Sequence, residues 1–492
     1  MRTSVSGPAW AARPTRGVEP PGRLPSTAWR ARALWVLRVV GALAAAVLAA
    51  SCTDAAQARL ARRILEDHRS RAKDKPLAAA QVVRIRLRSP SGDASGSAII
   101  EWDGDNYRET VTSAGLTTIR GIQGGKGYFT DEDGVTRVAS EPALSDLFTR
   151  FYFWRRAYLF DDQAEARLAL GPADADAVSV QLTPRGGDPL LLTFRRNDLS
   201  LASARSRHLD LTFRGPARFR DASRPGAATD GEIAWTGLPT GALPDTSVGG
   251  WSARWAAAPA QVGWTRSGRE LTLPARVGSR PVILALDGAA DGPLRVRGSV
   301  ADDLRVPWAR DVFGRWVARE VRLEIGGLEF PRLVAEKSED VPAGIDAVAG
   351  GTLLRETVVE VDPAAHLLRF YDPARWVAEQ GYFRVLLDDD GNRAVAILRH
   401  KGENVRLSGP TSLGGPIALS PAARARLAPS GEPRISGLRW GAALPDLAVL
   451  TTDGSESAFG EDGRLGWDLV LGFHAFFDLP HRWAYLRPAA QP

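Results

Sequence analysis

Two stretches in the C-terminal half of this chain repeat each other. Ala349-Gly350-Gly351-Thr352-Leu353-Leu354 runs to Val361-Asp362-Pro363, and Leu465-Gly466-Trp467-Asp468-Leu469-Val470 runs to Phe477-Asp478-Leu479-Pro480. Gly350 to Asp362 and Gly466 to Asp478 are both twelve steps, and the offset between copies is 116 residues. Each copy closes on an apolar segment and a proline, Leu367-Leu368-Arg369-Phe370-Tyr371-Asp372-Pro373 and Arg482-Trp483-Ala484-Tyr485-Leu486-Arg487-Pro488. A repeat of this length predicts two similar lobes, with a cleft between them as the natural place for a site.

A chain of 492 residues exceeds what one core supports, and its 49 Gly and 33 Pro favour many short strands. Residues 39–50 form an uncharged run preceded by Arg30, Arg32 and Arg38, too short to span a bilayer and suited to the core of a signal peptide over residues 1–51. The single cysteine follows in Leu48-Ala49-Ala50-Ser51-Cys52, which resembles the bacterial lipobox, although Ala49 stands where leucine is usual. The resemblance implies lipidation of Cys52 as the mature N-terminus and a membrane attachment through that anchor. Thr53 lacks the aspartate associated with inner-membrane retention, so the expected location is the outer membrane, facing the periplasm. A lone cysteine excludes a disulfide within the chain. Removing the seven arginines and one glutamate of residues 1–51 from totals of 63 basic and 57 acidic residues leaves 56 of each. The high pI therefore belongs to the leader, and nucleic acid is not an expected partner.

Residues 52–225 read as a first β domain. Ala58–His68 has helical spacing of Leu60, Ile64 and Leu65, and alternating segments around Ile85, Ile99, Tyr107 and Ile119 are punctuated by Asp103-Gly104, Gly124-Gly125 and Asp133-Gly134, the pattern of an antiparallel meander. A second helix is expected over Leu147–Phe160, then strands at Ala177–Leu182 and Leu190–Phe194 joined through Thr183-Pro184-Arg185-Gly186-Gly187-Asp188-Pro189. This order, with Trp102-Asp103-Gly104 and Tyr107-Arg108, resembles the LolA-type lipoprotein-carrier fold, a half-open β-barrel. The resemblance implies a concave face able to hold acyl chains; a plain β spacer is the simpler role. Gly124-Gly125-Lys126-Gly127 is not a phosphate loop, since Arg120 stands in place of the first glycine and Gly127 in place of Ser or Thr. Residues 226–250, rich in Gly, Pro, Ser and Thr, read as a linker.

Lobe one is expected over 251–375 and lobe two over 376–492. In the first, Glu270–Val277 and Pro281–Leu286 flank Gly278-Ser279 and lead into Asp287-Gly288-Ala289-Ala290; in the second, Ala394–Arg399 and Asn404–Leu407 lead into Ser408-Gly409-Pro410-Thr411. A hairpin, a sharp loop, a later hydrophobic-Gly strand and a closing Asp-x-Pro or Asp-Pro strand resemble the bilobal aspartic peptidases of pepsin and retropepsin type. The expected fold class is thus mainly β, a half-open barrel followed by a two-lobed pepsin-like module. That family's chemistry needs one Asp from each lobe, sharing a proton because like charges in contact cannot both ionise. The matching positions here are Asp287 and Ser408, and Gly288 and Ala289 replace the hydroxyl residue and the glycine of the first turn. The expectation is a catalytically degenerate module that binds a peptide or protein ligand. The alternatives are an active aspartic endopeptidase using Asp287 and a lipid-handling or structural envelope protein, so enzymatic status stays open.

Other chemistry is sparse. Asp388-Asp389-Asp390-Gly391-Asn392 and Asp291 read as solvated turns, and Asp362 and Asp478 as structural strand ends. The six histidines show no metal-ligand spacing, no Gly-x-Ser-x-Gly elbow occurs, and neither metal nor cofactor is expected. Trp251, Trp255 and Trp264 are candidates for a cleft lining or a core.

Overall fold

A computed structural model describes residues 55–71, 80–159, 166–236 and 253–489, less short gaps at 90, 135, 140, 207–208, 214–216, 221–227, 257, 291–293, 391–392, 430 and 453–460. The leader, Cys52, Trp251 and Asp291 lie outside these residues. The chain is mainly β. Among the described residues, no helix is long and apolar enough to cross a membrane.

The first sheet is a 13-stranded antiparallel meander in which the first strand, Ala80–Arg88, pairs with the last, Ala228–Thr236. Alternation builds it: along Ser95–Asp103 every second residue, Ala98, Ile100 and Trp102, is buried. The 55–71 helix contributes Ala61 and Leu65 to this core, and Glu141–Trp154 contributes Leu147, Phe151 and Trp154. The second helix stops earlier than the sequence suggests, and a 3-10 turn over Ala157–Leu159 follows it. Gly124 and Gly125, both at positive φ, turn one hairpin, so that glycine cluster is a strand connection. The linker assigned to 226–250 is corrected in part: Ala228–Thr236 is a full strand of this sheet. Its turn-rich composition hid it, yet its backbone groups are taken up by ladders on both sides.

Lobe one contains a closed six-stranded barrel. Going round, Leu328–Ser338 pairs with Leu294–Arg297, then Ala347–Ala349, Arg280–Leu286, Glu270–Val277 and Trp316–Ile325, which returns to Leu328–Ser338. The equivalent lobe-two strands, Arg393–His400, Glu403–Thr411, Gly463–Gly466 and Ile417–Leu419, belong to an open 14-stranded sheet.

That larger sheet also joins the lobes, through the repeat itself. The hairpin Val358–Asp362/Leu367–Tyr371 closes the first copy and Phe473–Asp478/Trp483–Pro488 the second. They pair edge to edge with Val359 opposite Phe477, Glu360 opposite Phe476 and Val361 opposite Ala475. Glu360 and Phe476 are themselves equivalent under the 116-residue offset, so a local two-fold axis passes between them.

Candidate functional site

Each lobe places its loop by the same device: the strand entering the loop lies parallel to the strand that ends at the repeat glycine. In lobe one, Leu284, Ala285 and Leu286 pair with Ala347, Val348 and Ala349, and the amide of Asp287 donates to the Ala349 carbonyl at 3.0 Å. In lobe two, Leu407 and Ser408 pair with Gly463 and Arg464, and Thr411 pairs with Gly466. The repeat glycines are needed because the loop backbone crosses directly over them. A Cβ on Gly350 would lie 2.7 Å from the Ala290 carbonyl oxygen, and one on Gly466 would overlap the carbonyl oxygen of Gly415.

The two loops meet across the lobe boundary. The Gly288 amide donates to the Pro410 carbonyl at 2.7 Å, the Ala394 amide donates to the Gly288 carbonyl at 3.1 Å, and Trp467 Nε1 donates to the Leu286 carbonyl at 3.0 Å. A Cβ at Gly288 would sit 3.0 Å from Gly409 C and from Pro410 N, so glycine in the hydroxyl position is what lets the loops close to this distance. An ion pair between Arg266 and Asp468 at 2.5 Å adds a further link.

The side chains at the two positions matched by sequence have opposite surroundings, and the strand register does not make them equivalent: Ser408 lies opposite Arg464, the repeat equivalent of Val348, which in lobe one lies opposite Ala285. Asp287 is partly exposed; its Oδ1 accepts from the Ala289 amide at 3.1 Å and its Oδ2 lies 3.7 Å from Arg295 Nη2. Ser408 is fully buried, and its hydroxyl donates to the Gly463 carbonyl at 3.3 Å. Among the described residues, the charged partner of Asp287 is thus a guanidinium and not a second carboxyl. A shared-proton dyad needs two carboxyls in contact. Arg295 carried no signal in the sequence: it is one arginine in a short strand, placed by the pairing of Leu294–Arg297 with Ala347–Ala349.

The other acids are structural. Asp388 is buried, not in a solvated turn as its Asp-rich context suggested, and bridges Arg406 at 2.8 Å and Arg482 at 2.6 Å. The strand Phe383–Asp390 carries it inward because side chains alternate faces, which an acidic run in sequence does not reveal. Asp362 accepts from the Ala365 amide at 3.0 Å, and buried Asp478 accepts from the His481 amide at 3.3 Å, each closing its own hairpin turn. Trp264 is in the core and Trp255 packs against it.

One cluster was invisible to spacing. Ligand atoms of Glu360, Asp362 and His474 lie within 4.8 Å of one another on the intercopy sheet. Glu360 accepts from His474 Nε2 at 2.7 Å when that nitrogen carries the proton, and also from Tyr371 Oη and Arg369. Arg369 Nη1 also reaches Asp362 at 3.5 Å, so a guanidinium already bridges both carboxylates where a cation would bind. Burial pushes the Glu360 carboxyl up, but the His474 and Tyr371 hydrogen bonds and the Arg369 charge outweigh it and hold it below its ordinary 4.5. The cluster is an ion-paired strut at the local two-fold axis.

No protein-family profile matches the chain, and no curated protein does. Among solved structures, it is similar to an aspartic proteinase from Irpex lacteus, at 10% identity and TM-score 0.32 over 47% of this chain and 98% of that one. It is also similar to a retropepsin-like aspartic protease from Rickettsia conorii, at 18% identity and TM-score 0.19 over 25% of this chain and 94% of that one.

Proposed function

We propose that the two-lobed module is an aspartic-peptidase-like ligand-binding unit that holds an extended peptide between its lobes without cutting it. The observation that carries this is the asymmetry at the loop pair: the backbones close on each other through Gly288 and Pro410, while the lobe-one loop offers Asp287 beside Arg295 and the lobe-two loop, Ser408-Gly409-Pro410-Thr411, offers no carboxyl. Acid or base assistance contributes on the order of 100- to 10,000-fold per group, so a single carboxylate leaves little turnover. The ion pair suits a binding role, since a carboxylate and a guanidinium side by side can both accept from and donate to a peptide backbone.

The wider reading follows the leader. Cys52 is the proposed lipidation site, and the protein is proposed to face the periplasm from the outer membrane. The first β domain is proposed to be a spacer, because two helices already cover its core with Leu65, Leu147 and Phe151, the surface an acyl chain would otherwise occupy.

The test is incubation of the mature protein with a denatured protein substrate at acid and neutral pH, alongside an Asp287→Ala variant and a fluorescence-anisotropy binding assay. Binding without cleavage is expected, weakened in the variant. Cleavage that disappears in Asp287→Ala would favour the active endopeptidase instead. Mass spectrometry of the N-terminal peptide, with Cys52→Ala as control, checks the anchor.

A further inference from the structure

Among the described residues, the side chain of Asp287 bonds only within lobe one, to the Ala289 amide and to Arg295. Its backbone neighbours are held by lobe two on both sides. Before it, the Leu286 carbonyl accepts from Trp467 Nε1 at 3.0 Å; after it, the Gly288 amide donates to the Pro410 carbonyl at 2.7 Å and the Gly288 carbonyl accepts from the Ala394 amide at 3.1 Å. Of these three hydrogen bonds only the first uses a side chain, so it alone can be removed by a substitution that leaves the backbone in place.

Trp467 is built as a fixed post. It follows the repeat glycine Gly466, whose amide donates to the Pro416 carbonyl at 2.8 Å and where a Cβ would overlap the Gly415 carbonyl oxygen. The indole opens the short helix Trp467–Val470 and is buried in the same core as Leu286. Close packing restricts the ring to one arrangement, which keeps its N–H aimed at the Leu286 carbonyl. The hold runs one way, because the 116-residue offset puts Gly351, with no side chain, at the equivalent place in lobe one.

We propose that Trp467 is a positioning residue: from lobe two it fixes the backbone that presents Asp287 to a ligand, so that lobe two governs the carboxylate that lobe one carries. The ligand part of this rests on the peptide-binding reading above; the positioning part stands on the hydrogen bonds alone. In Trp467→Phe the buried Leu286 carbonyl loses this donor, and the segment Leu286-Asp287-Gly288 relaxes to recover one.

The test is hydrogen exchange of the Asp287 and Gly288 amides in the full mature chain, together with the peptide anisotropy assay, for Trp467→Phe and Trp440→Phe. Trp440 is a matched control: it is fully buried in the same lobe, loses the same volume, and its Nε1 has no hydrogen-bond partner among the described residues. In Trp467→Phe, exchange of both amides is expected to quicken about fivefold, the worth of one hydrogen bond, and peptide affinity to fall by a similar factor. In Trp440→Phe both are expected to match the unmodified protein. Should Trp467→Phe fail to fold, 3-benzothienylalanine at position 467, which keeps the indole shape and lacks the N–H, gives the same reading. Unchanged exchange in the 467 variants, or equal effects from 467 and 440, overturns the proposal. Quickened exchange with unchanged affinity overturns its ligand part, and peptide bound by none of the proteins, including the unmodified one, overturns the peptide-binding reading instead.

Discussion

The two lobes share a way of holding their loops and differ in what the loops carry. Lobe one is a closed barrel that leaves Asp287 partly exposed beside Arg295, while lobe two is an open sheet that buries Ser408 completely against the Gly463 carbonyl. The loops themselves meet through backbone, at Gly288, Pro410, Ala394 and Leu286, while the side chains of Trp467, of Arg266 with Asp468, and of Ser412 with Glu270 add links around them. The lesson is that this junction depends on glycine and strand pairing and not on a pair of acids, so the scaffold can persist while the chemistry at its centre changes.

The sharpest way to break the comparison is to make the lobes chemically alike. Ser408→Asp puts a carboxyl into a fully buried position, and an uncompensated buried charge there is expected to cost about 3–5 kcal/mol. Because burial favours the neutral acid, the loss should grow as pH rises, which urea unfolding at acid and neutral pH will show. No cleavage is expected from this variant; cleavage of a denatured substrate would mean that Asp287 can leave Arg295 to form a dyad.

Next in size are the repeat glycines. Gly350→Ala and Gly466→Ala are both expected to destabilise by about 1–3 kcal/mol through overpacking against backbone. Gly466→Ala should be the worse of the two, because its Cβ overlaps a carbonyl oxygen outright while that of Gly350 stands 2.7 Å away. Denaturant midpoints of the two variants decide the order, and the reverse order would undo the claimed difference between the loops.

The strut at the two-fold axis gives a smaller effect. Glu360→Gln is expected to cost about 1 kcal/mol at neutral pH, since the amide keeps one acceptor oxygen and loses the share of these hydrogen bonds that the charge supplies. Since the Glu360 carboxyl is held below 4.5 when folded, its contribution is present above that value and lost as pH falls through the lowered one. Stability measured against pH should therefore fall less steeply on the acid side in the variant than in the unmodified protein. Smallest is Arg295→Ala: its pair with Asp287 is partly exposed at 3.7 Å and is expected to change stability by less than about 1 kcal/mol. Its effect on peptide binding should exceed its effect on folding, and equal effects would argue against a binding role.

Much of this was legible in the chain. The repeat announced both the loop-crossing glycines and the closing hairpins, and alternation with Asp-Gly and Gly-Gly turns marked most strands of the first sheet. Sequence order matched Asp287 to Ser408, but by strand register Ser408 stands at the place of Ala285, because Arg464 and Val348, their respective partners, are repeat equivalents. Four features were not legible. Ala228–Thr236 looked like linker because its pattern is weak and its partner, Ala80–Arg88, is far away in sequence. Asp388 looked solvated because acidic runs usually are, and its two arginine partners are far away in sequence, Arg406 in the strand Glu403–Thr411 and Arg482 in the turn before Trp483. Arg295 and the Glu360–His474–Arg369 cluster have no spacing signature, being assembled by sheet register.

By itself, the sequence determined which segments alternate, where they turn and that one design is used twice, because those properties depend on backbone chemistry over a few residues. Only the tertiary structure decided that the copies pair with each other at Glu360 and Phe476 and that Asp287 faces an arginine. Such contacts join residues far apart in the chain. Their geometry is set by sheet register and close packing, which no local pattern encodes.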